Sequence, residues 1–422
     1  MKFKIISLGC PKNLVESEYI SFRLEKDGHI LSDDCNTVII NTCAFIRDAA
    51  QESIETILMA AKERNKKERK IVVTGCLVER YREELVNLLP EVDLFVGRGM
   101  YHEIDKVITE AGYFFQDTPF YESYPRKVLT GKPSAYLKIQ EGCNNRCAYC
   151  TIPSIRGDLR SRTIADIGAE FTYLLENGYR EISIVGQDIT SYGMDGKFDL
   201  KTLLRHMLKV EGDFFLRLLY MHPKGVDDEL IDLIGESEKI IPYLDIPIQH
   251  SEDRILSLMG RGYTRKQLDC LFQKIKDRIP NATLRTTVLV GFPGETENEF
   301  AGLCDFVKKC EFDMLGAFTY SREEGTRAFR FKGHLRKNAK QKRYNTIMEM
   351  QREISGRRLG RLVGTKNFVI VGGYEKPYMT GRIITQAPDI DGMAFIKGKC
   401  APGEIRQGKI VKTLDYDVIV EV

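Results

Sequence analysis

The sequence predicts an α/β chain in three parts: an N-terminal parallel α/β domain (1–115), a partial (β/α)6 barrel (130–358) and a small all-β C-terminal barrel (359–422). Three observations predict it. Short apolar runs alternate with amphipathic helical stretches over the first hundred residues, which implies right-handed crossovers and one parallel sheet. A second, longer series of six such units follows after a proline-bearing stretch. The last sixty residues then switch to period-two runs separated by glycine turns.

In the first part, strand-like runs lie at Phe3–Leu8, Thr37–Asn41, Ile71–Thr74 and Val92–Val96, with helical stretches at Leu14–Lys26, Ile46–Lys62 and Glu79–Leu88. Residues 101–134 read as a connection containing Pro119, Pro125 and Pro133. The second series has candidate strands at Ala135–Gln140, Glu181–Val185, Phe214–Tyr220, Tyr243–Ile248, Leu284–Val290 and Met314–Tyr320, with helices such as Ile164–Asn177 and Lys266–Arg278. Six βα units suggest a barrel open on one side, working at its strand C-termini. A long helix, Lys337–Arg358, leads to the tail, where Asn367–Val371, Tyr378–Thr385, Met393–Ile396 and Asp417–Val422 belong to about five short strands of a barrel or sandwich.

Composition is that of an ordinary globular chain: 422 residues, 43% hydrophobic and 29% charged. The start is too quickly polar for a signal peptide. No apolar run approaches the ~18 residues of a membrane span. A cytoplasmic protein without membrane contact is expected, where grouped cysteines serve metals or catalysis rather than disulfides. Net charge is +3, but residues 321–360 hold 12 Lys/Arg against 4 Glu and the first 320 residues sum to −7. The basic segment suits either phosphate contact or a solvated helix face. Direct nucleic-acid binding is possible on this balance but not required.

Six of the 11 cysteines form two triads. One is tight, Cys143, Cys147 and Cys150 in a C-x3-C-x2-C, just after the first barrel strand. The other is spread, Cys10, Cys43 and Cys76, each just past a strand end, at the sheet edge where α/β folds bind ligands. The equal 33-residue spacing is not an ankyrin repeat, because the Thr-Pro-Leu-His signature is absent. Three thiolates can hold three irons of a four-iron cube and leave the fourth open. A structural zinc wants four closed ligands, and no fourth donor stands near the tight triad. Buried structural thiols are the plainer alternative for the spread triad. Cys35, Cys270, Cys304, Cys310 and Cys400 follow no pattern and read as core or surface thiols.

The C-x3-C-x2-C with an aromatic, Tyr149, before its last cysteine resembles the radical S-adenosylmethionine superfamily. There the open iron chelates the methionine part of the cofactor, and an electron from the cluster cleaves it to a 5′-deoxyadenosyl radical. With the spread triad, the chain is similar to the methylthiotransferases of that superfamily, which carry an auxiliary-cluster domain before the radical core and a TRAM domain after it. Ser7–Asn13, Asn41–Ile46, Ile152–Gly157, Asp245–His250 and Val290–Thr296 carry the resemblance across the chain. Gly-Cys-Pro-Lys-Asn and Ile-Pro-Ser-Ile-Arg-Gly point to the branch that methylthiolates the β-carbon of an aspartate in small-subunit ribosomal protein S twelve. Its tRNA-modifying relatives more often read Gly-Cys-Gln-x-Asn and Val-Pro-x-x-Arg-Gly.

The resemblance implies two 4Fe–4S clusters, one on Cys10, Cys43 and Cys76 and one on Cys143, Cys147 and Cys150. It also implies S-adenosylmethionine used both as methyl donor and as radical source, and a reducing partner such as flavodoxin or ferredoxin. Cofactor contacts are expected from Tyr149, Gln187, Asp188, Gln249, His250 and Gly291. Each has a plainer reading: Asp188 as a helix cap, His250 as a satisfied core group, and Gly291 as part of a tight turn and not of a phosphate loop, since no Gly-Lys-Ser/Thr ending follows. Two other functions stay open at this point, a tRNA adenosine methylthiotransferase and a non-catalytic iron–sulfur electron carrier.

Overall fold

The computed structural model describes residues 1–64, 69–117, 125–196, 198–375 and 378–422. The N-terminal sheet is entirely parallel, in the order β2-β1-β3-β4-β5-β6. Its strands are β1 (Lys2–Ser7), β2 (Ile30–Leu31), β3 (Thr37–Thr42), β4 (Lys70–Gly75), β5 (Leu94–Val96) and β6 (Gly112–Phe114). β3 is buried along its whole length, as a central strand covered on both faces must be. The three strands that precede the spread cysteines, β1, β3 and β4, are immediate neighbours. β2 and β6 were not expected, because runs of two and three residues leave no periodicity to read.

The second sheet, also parallel, runs β14-β13-β12-β11-β10-β7 and stays open. It comprises β7 (Ser134–Lys138), β10 (Glu181–Val185), β11 (Phe215–Leu218), β12 (Ile240–Asp245), β13 (Thr283–Val290) and β14 (Met314–Thr319). A two-stranded piece, β8 (Gln140–Glu141) with β9 (Arg160–Ser161), brackets the tight-triad loop. Apolar residues on the outer face, among them Leu137, Ile182, Ile184, Leu216, Leu284 and Val288, pack under the surrounding helices. The opposite positions carry polar groups, including Lys138, Arg217, Asp245 and Arg285, which are buried or half-buried inside the barrel.

The tail closes into a five-stranded barrel, β15-β16-β17-β19-β18. Its strands are β15 (Lys366–Glu375), β16 (Tyr378–Ile383), β17 (Ala394–Lys397), β18 (Ile405–Thr413) and β19 (Val418–Glu421). β18 escaped the pattern because lysine, arginine, glutamine and glycine interrupt its alternation. This small barrel docks on residues at the strand starts. Arg382 binds Glu181 and Ser134, and the Phe368 ring lies 5.3 Å from that of Phe215. Further in, Tyr136 and Tyr243 donate to Asp389 and Asp391. No helix among the described residues is long and apolar enough to cross a membrane.

The stretch 101–134 is less of a connection than its prolines suggested. Residues 101–107 are helical and 112–114 add β6 to the first sheet; Pro119 lies outside the described residues. Arg126 is almost fully buried and stitches the first two parts together. It donates to Glu18 of the helix Pro11–Lys26, to Glu170 of the helix Ile164–Glu176 and to the Tyr136 carbonyl. Removing one member of a buried charge set strands the others, at a cost of about 3–5 kcal/mol. Arg126→Met is therefore expected to lower resistance to urea by that order, read as a shifted unfolding midpoint.

Candidate functional site

Each spread cysteine is placed by a strand end. Cys10 caps the helix that starts at Pro11, and Cys76 opens the helix Cys76–Leu88. Gly9 has φ +85°, and a Cβ there would lie 2.8 Å from the Cys43 sulfur, so only glycine lets the two loops touch. Asn13 ties all three loops. Its Nδ2 donates to Leu8 O at 3.0 Å and Thr42 O at 2.9 Å, while its Oδ1 faces the Cys76 Sγ at 3.6 Å. Asn41 completes the clamp by donating to Asn13 O at 2.9 Å. The motif residues that carry the family resemblance thus hold three strand ends at one spot.

The tight triad lies in the loop between β8 and β9. Gly142, at φ +74°, passes so close to Asp158 that a Cβ would sit 2.0 Å from its carbonyl oxygen. The Asn145 N–H points at the Cys143 Sγ at 3.5 Å, and Arg261 Nη1 donates to the Cys147 Sγ at 3.4 Å. Ala148 is pinned between Met259 O and Ala328 N by two bonds of 2.8 Å. Donors aimed at sulfur favour thiolate over thiol. Burial, and after it the neighbouring triad sulfurs, pushes Cys43 and Cys150 up to about 12, so loading a metal here must displace protons.

Among the described residues no three Cys, His, Asp or Glu side chains converge to hold a single metal ion. Three thiolates in each triad form a sulfur-only donor set, the set that iron–sulfur clusters take.

The two triads face a common seam. Arg156, six residues after Cys150, donates to the Cys76 Sγ at 3.3 Å and to Asn13 Oδ1. Thr151 donates to Phe45 O, two residues after Cys43, at 2.8 Å. Behind Arg156 lies a buried charge network in which Arg98, Lys138 and Arg156 each contact both Glu16 and Glu141, at 2.7–3.3 Å. Burial opposes ionisation of Glu16, but Arg156, Arg98 and Lys138 overcome it and hold its carboxyl down to about 2.

The expected cofactor contacts fall into two groups. Gln187 Nε2 donates to Glu141 at 2.7 Å, while its buried Oε1 and that of Gln140 have no partner among the described residues. Tyr149 packs with Ile255, Met259 and Phe292 against the cluster loop. Asp188, by contrast, is fully engaged. One carboxylate oxygen caps the short helix at Ile189–Ser191, and the other accepts from Asn145 at 2.6 Å, which makes it a support for the tight-triad loop. Gln249 bridges Thr287 and Leu289 through its backbone. His250 is wholly buried, accepts the Glu252 N–H at 3.0 Å, and is pushed by burial down to about 3, a neutral imidazole. Gly291 opens a turn whose N–H groups converge on Glu295.

The basic segment is largely internal in its bonding. Arg343 pairs with Glu295 and Glu297, Arg357 with Glu311, and Arg358 with Asp313. Asn13, Glu16, Arg98, Glu141, Arg156 and Arg261 were not singled out as site residues. A signal existed for some: lysine, glutamine and glutamate within the otherwise apolar run Ala135–Glu141 mark a strand with a polar inner face.

An open parallel barrel with three cysteines after its first strand, capped by a second triad on an α/β domain, is the architecture of a radical S-adenosylmethionine protein. Residues 137–307 match the radical SAM superfamily, 2–97 an uncharacterized protein family designated UPF0004, and 363–422 the TRAM domain. The chain belongs to the RimO family of ribosomal protein uS12 methylthiotransferases. It is 43% identical to the RimO of Geobacter sulfurreducens (100% of this chain, 98% of that one) and 44% identical to that of Acetivibrio thermocellus (100% and 98%). It is 41% identical to that of Thermotoga maritima (99% of each). In fold it resembles the radical S-adenosylmethionine methyltransferase TsrM from Kitasatospora setae, with TM-score 0.55 at 16% identity over 75% of this chain and 72% of that one.

Iron counting after anaerobic reconstitution checks the ligand sets. Wild type is expected to hold about eight irons, and the Cys143/Cys147/Cys150-to-Ala triple variant about four. Asn13→Leu, which releases the strand ends without removing a thiol, is expected to lose iron from the other set only, so that its electron paramagnetic resonance spectrum keeps a single cluster signal.

Proposed function

We propose that this protein adds a methylthio group to the β-carbon of an aspartate in ribosomal protein S twelve, in the cytoplasm, with electrons from a flavodoxin- or ferredoxin-type donor. The observation that carries the reading is the contact of Arg156 with Cys76 and of Thr151 with the Cys43 loop, which seats both triads at one seam. Cys10, Cys43 and Cys76 would hold one 4Fe–4S cluster, and Cys143, Cys147 and Cys150 the other. When bound, these clusters and S-adenosylmethionine supply the sulfur, methyl and hydrogen-abstracting chemistry that an unactivated C–H bond demands and no side chain can provide.

The chain's own residues bind, orient and exclude. The unpartnered Oε1 atoms of Gln187 and Gln140, beside the Gly186–Asp188 turn, are buried acceptors suited to the ammonium of the cofactor's methionine part. Glu141 fixes Gln187 from behind. Asp188 and Arg261 brace the cluster loop from either side. The N-terminal domain lies over the strand C-termini and limits water there, which protects a reactive site.

Anaerobic incubation of reconstituted protein with S-adenosylmethionine, a reductant, ribosomal protein S twelve and tRNA tests the reading. A mass gain of one methylthio unit is expected on the ribosomal protein; a gain on tRNA alone would overturn it. Gln187→Leu is expected to raise the KM for S-adenosylmethionine about tenfold or more, the scale of a lost bond to a charged donor, with iron content unchanged.

A further inference from the structure

We infer that the Lys12 ammonium is the seat for the carboxylate of the substrate aspartate, an assignment that rests on the protein-aspartate reading above. Lys12 stands in the first turn of the helix Pro11–Lys26, two residues after Cys10, and is only 8% exposed. Its Nζ lies 3.8 Å from the centroid of the Tyr220 ring. Among the described residues no hydrogen bond or ion pair engages that nitrogen, whereas most other deeply buried cations have carboxylate partners, among them Arg98, Lys138 and Arg156 on Glu16 and Glu141, Arg126 on Glu18 and Glu170, and Arg217 on Glu181. Arg261 donates to the Cys147 sulfur, the Tyr263 hydroxyl and the Pro247 carbonyl.

An ammonium carries three donors and is costly to bury without an anion. A ring face offsets part of that charge but accepts no conventional hydrogen bond. The nearby carboxylates are committed elsewhere. Glu16 and Glu141 are shared among three cations, and Asp245 accepts from Arg285 Nη1 and the Tyr220 N–H, each at 2.9 Å. The strongest anionic neighbour of this cation is the Cys10 sulfur, and among the described residues no carboxylate contacts it, so the fold presents a held cation with donors left for a carboxylate from outside.

Position and chemistry agree on what that counter-ion is. Tyr220 follows β11 at the C-terminal end of the barrel strands, and its φ of +66°, an uncommon conformation for a bulky residue, holds the ring under Lys12. The ammonium thus stands where the N-terminal domain meets the barrel mouth, beside Cys10 of the spread triad. In an aspartate the carboxylate is bonded directly to the β-carbon. Anchoring it places the reacting carbon one bond away, with little freedom left. A nucleobase has no carboxylate bonded to its reacting carbon, so this seat would orient an aspartate and not a base.

The test is an anaerobic binding and turnover comparison on reconstituted holoenzyme. Two peptides of the ribosomal protein S twelve loop, one with the target aspartate and one with asparagine there, are measured against wild type, Lys12→Met and Lys12→Arg. Wild type is expected to bind the aspartate peptide about tenfold or more tighter, the scale of a charge-assisted contact. Lys12→Met should bring that ratio close to one, and Lys12→Arg should keep most of it. Loss of affinity for both peptides by the same factor in Lys12→Met overturns the assignment and makes the lysine structural or a cluster neighbour. Retained discrimination with turnover also overturns it, placing the carboxylate elsewhere. If wild type modifies neither peptide nor the intact ribosomal protein, the substrate reading falls and this assignment with it.

Discussion

The structure depends on one buried electrostatic arrangement, the three cations and two carboxylates at the seam between the first sheet and the barrel. Glu16 and Arg98 come from the N-terminal domain, Lys138 and Glu141 from the first barrel strands, and Arg156 from the segment that follows the tight triad. None of the five could be buried alone, since an isolated ion in a protein interior carries a penalty of several kcal/mol. Together they satisfy one another only when both domains are in register. The network is therefore less a source of stability than a condition on geometry: it tolerates one relative placement of the two triads and opposes others. Its surplus of one positive charge faces cysteine sulfur through Arg156, a suitable environment for thiolate ligands.

Around that seam the barrel is covered at both ends. The N-terminal domain lies over the strand C-termini, where Leu14 and Val15 pack with Leu219 and Tyr220. The small C-terminal barrel covers the strand starts, and Ile370, Ile384 and Ala387 join the same apolar cluster from below. An open six-stranded barrel by itself would leave its inner face wet. Here that face is closed by Asp389 and Asp391 on two tyrosines, so the third domain completes the barrel as well as extending it. Enclosure of this kind suits chemistry that solvent and oxygen would quench.

The polar residues divide in a way that follows from their bonding. Asp188 and Glu295 have their acceptors filled by amide, guanidinium and backbone donors, while His250 accepts the Glu252 N–H at Nδ1. Among the described residues Gln140 and Gln187 each keep a buried oxygen and His250 its Nε2 without a partner, and no carboxylate contacts Lys12. Groups that the fold has already satisfied hold shape; groups it has left unsatisfied are those with binding capacity to spare.

The amino-acid sequence alone determined the three-part architecture and both cysteine triads. Hydrophobic periodicity reports elements whose apolar alternation is unbroken, and Cys10, Cys43, Cys76 and the C-x3-C-x2-C announce themselves by placement after strands. It could not separate the readings of Asp188 or His250, because cap, core group and ligand share one local pattern and differ only in what lies across from the side chain. Nor could it find the two-residue β2, the interrupted β18, or the partnership of Glu16 with Arg98, Lys138 and Arg156. Those contacts join positions 82, 122 and 140 residues apart, where no periodicity connects them. Tertiary structure alone decided which polar groups were paired and which were left to bind, because pairing depends on distances that only the packed chain sets.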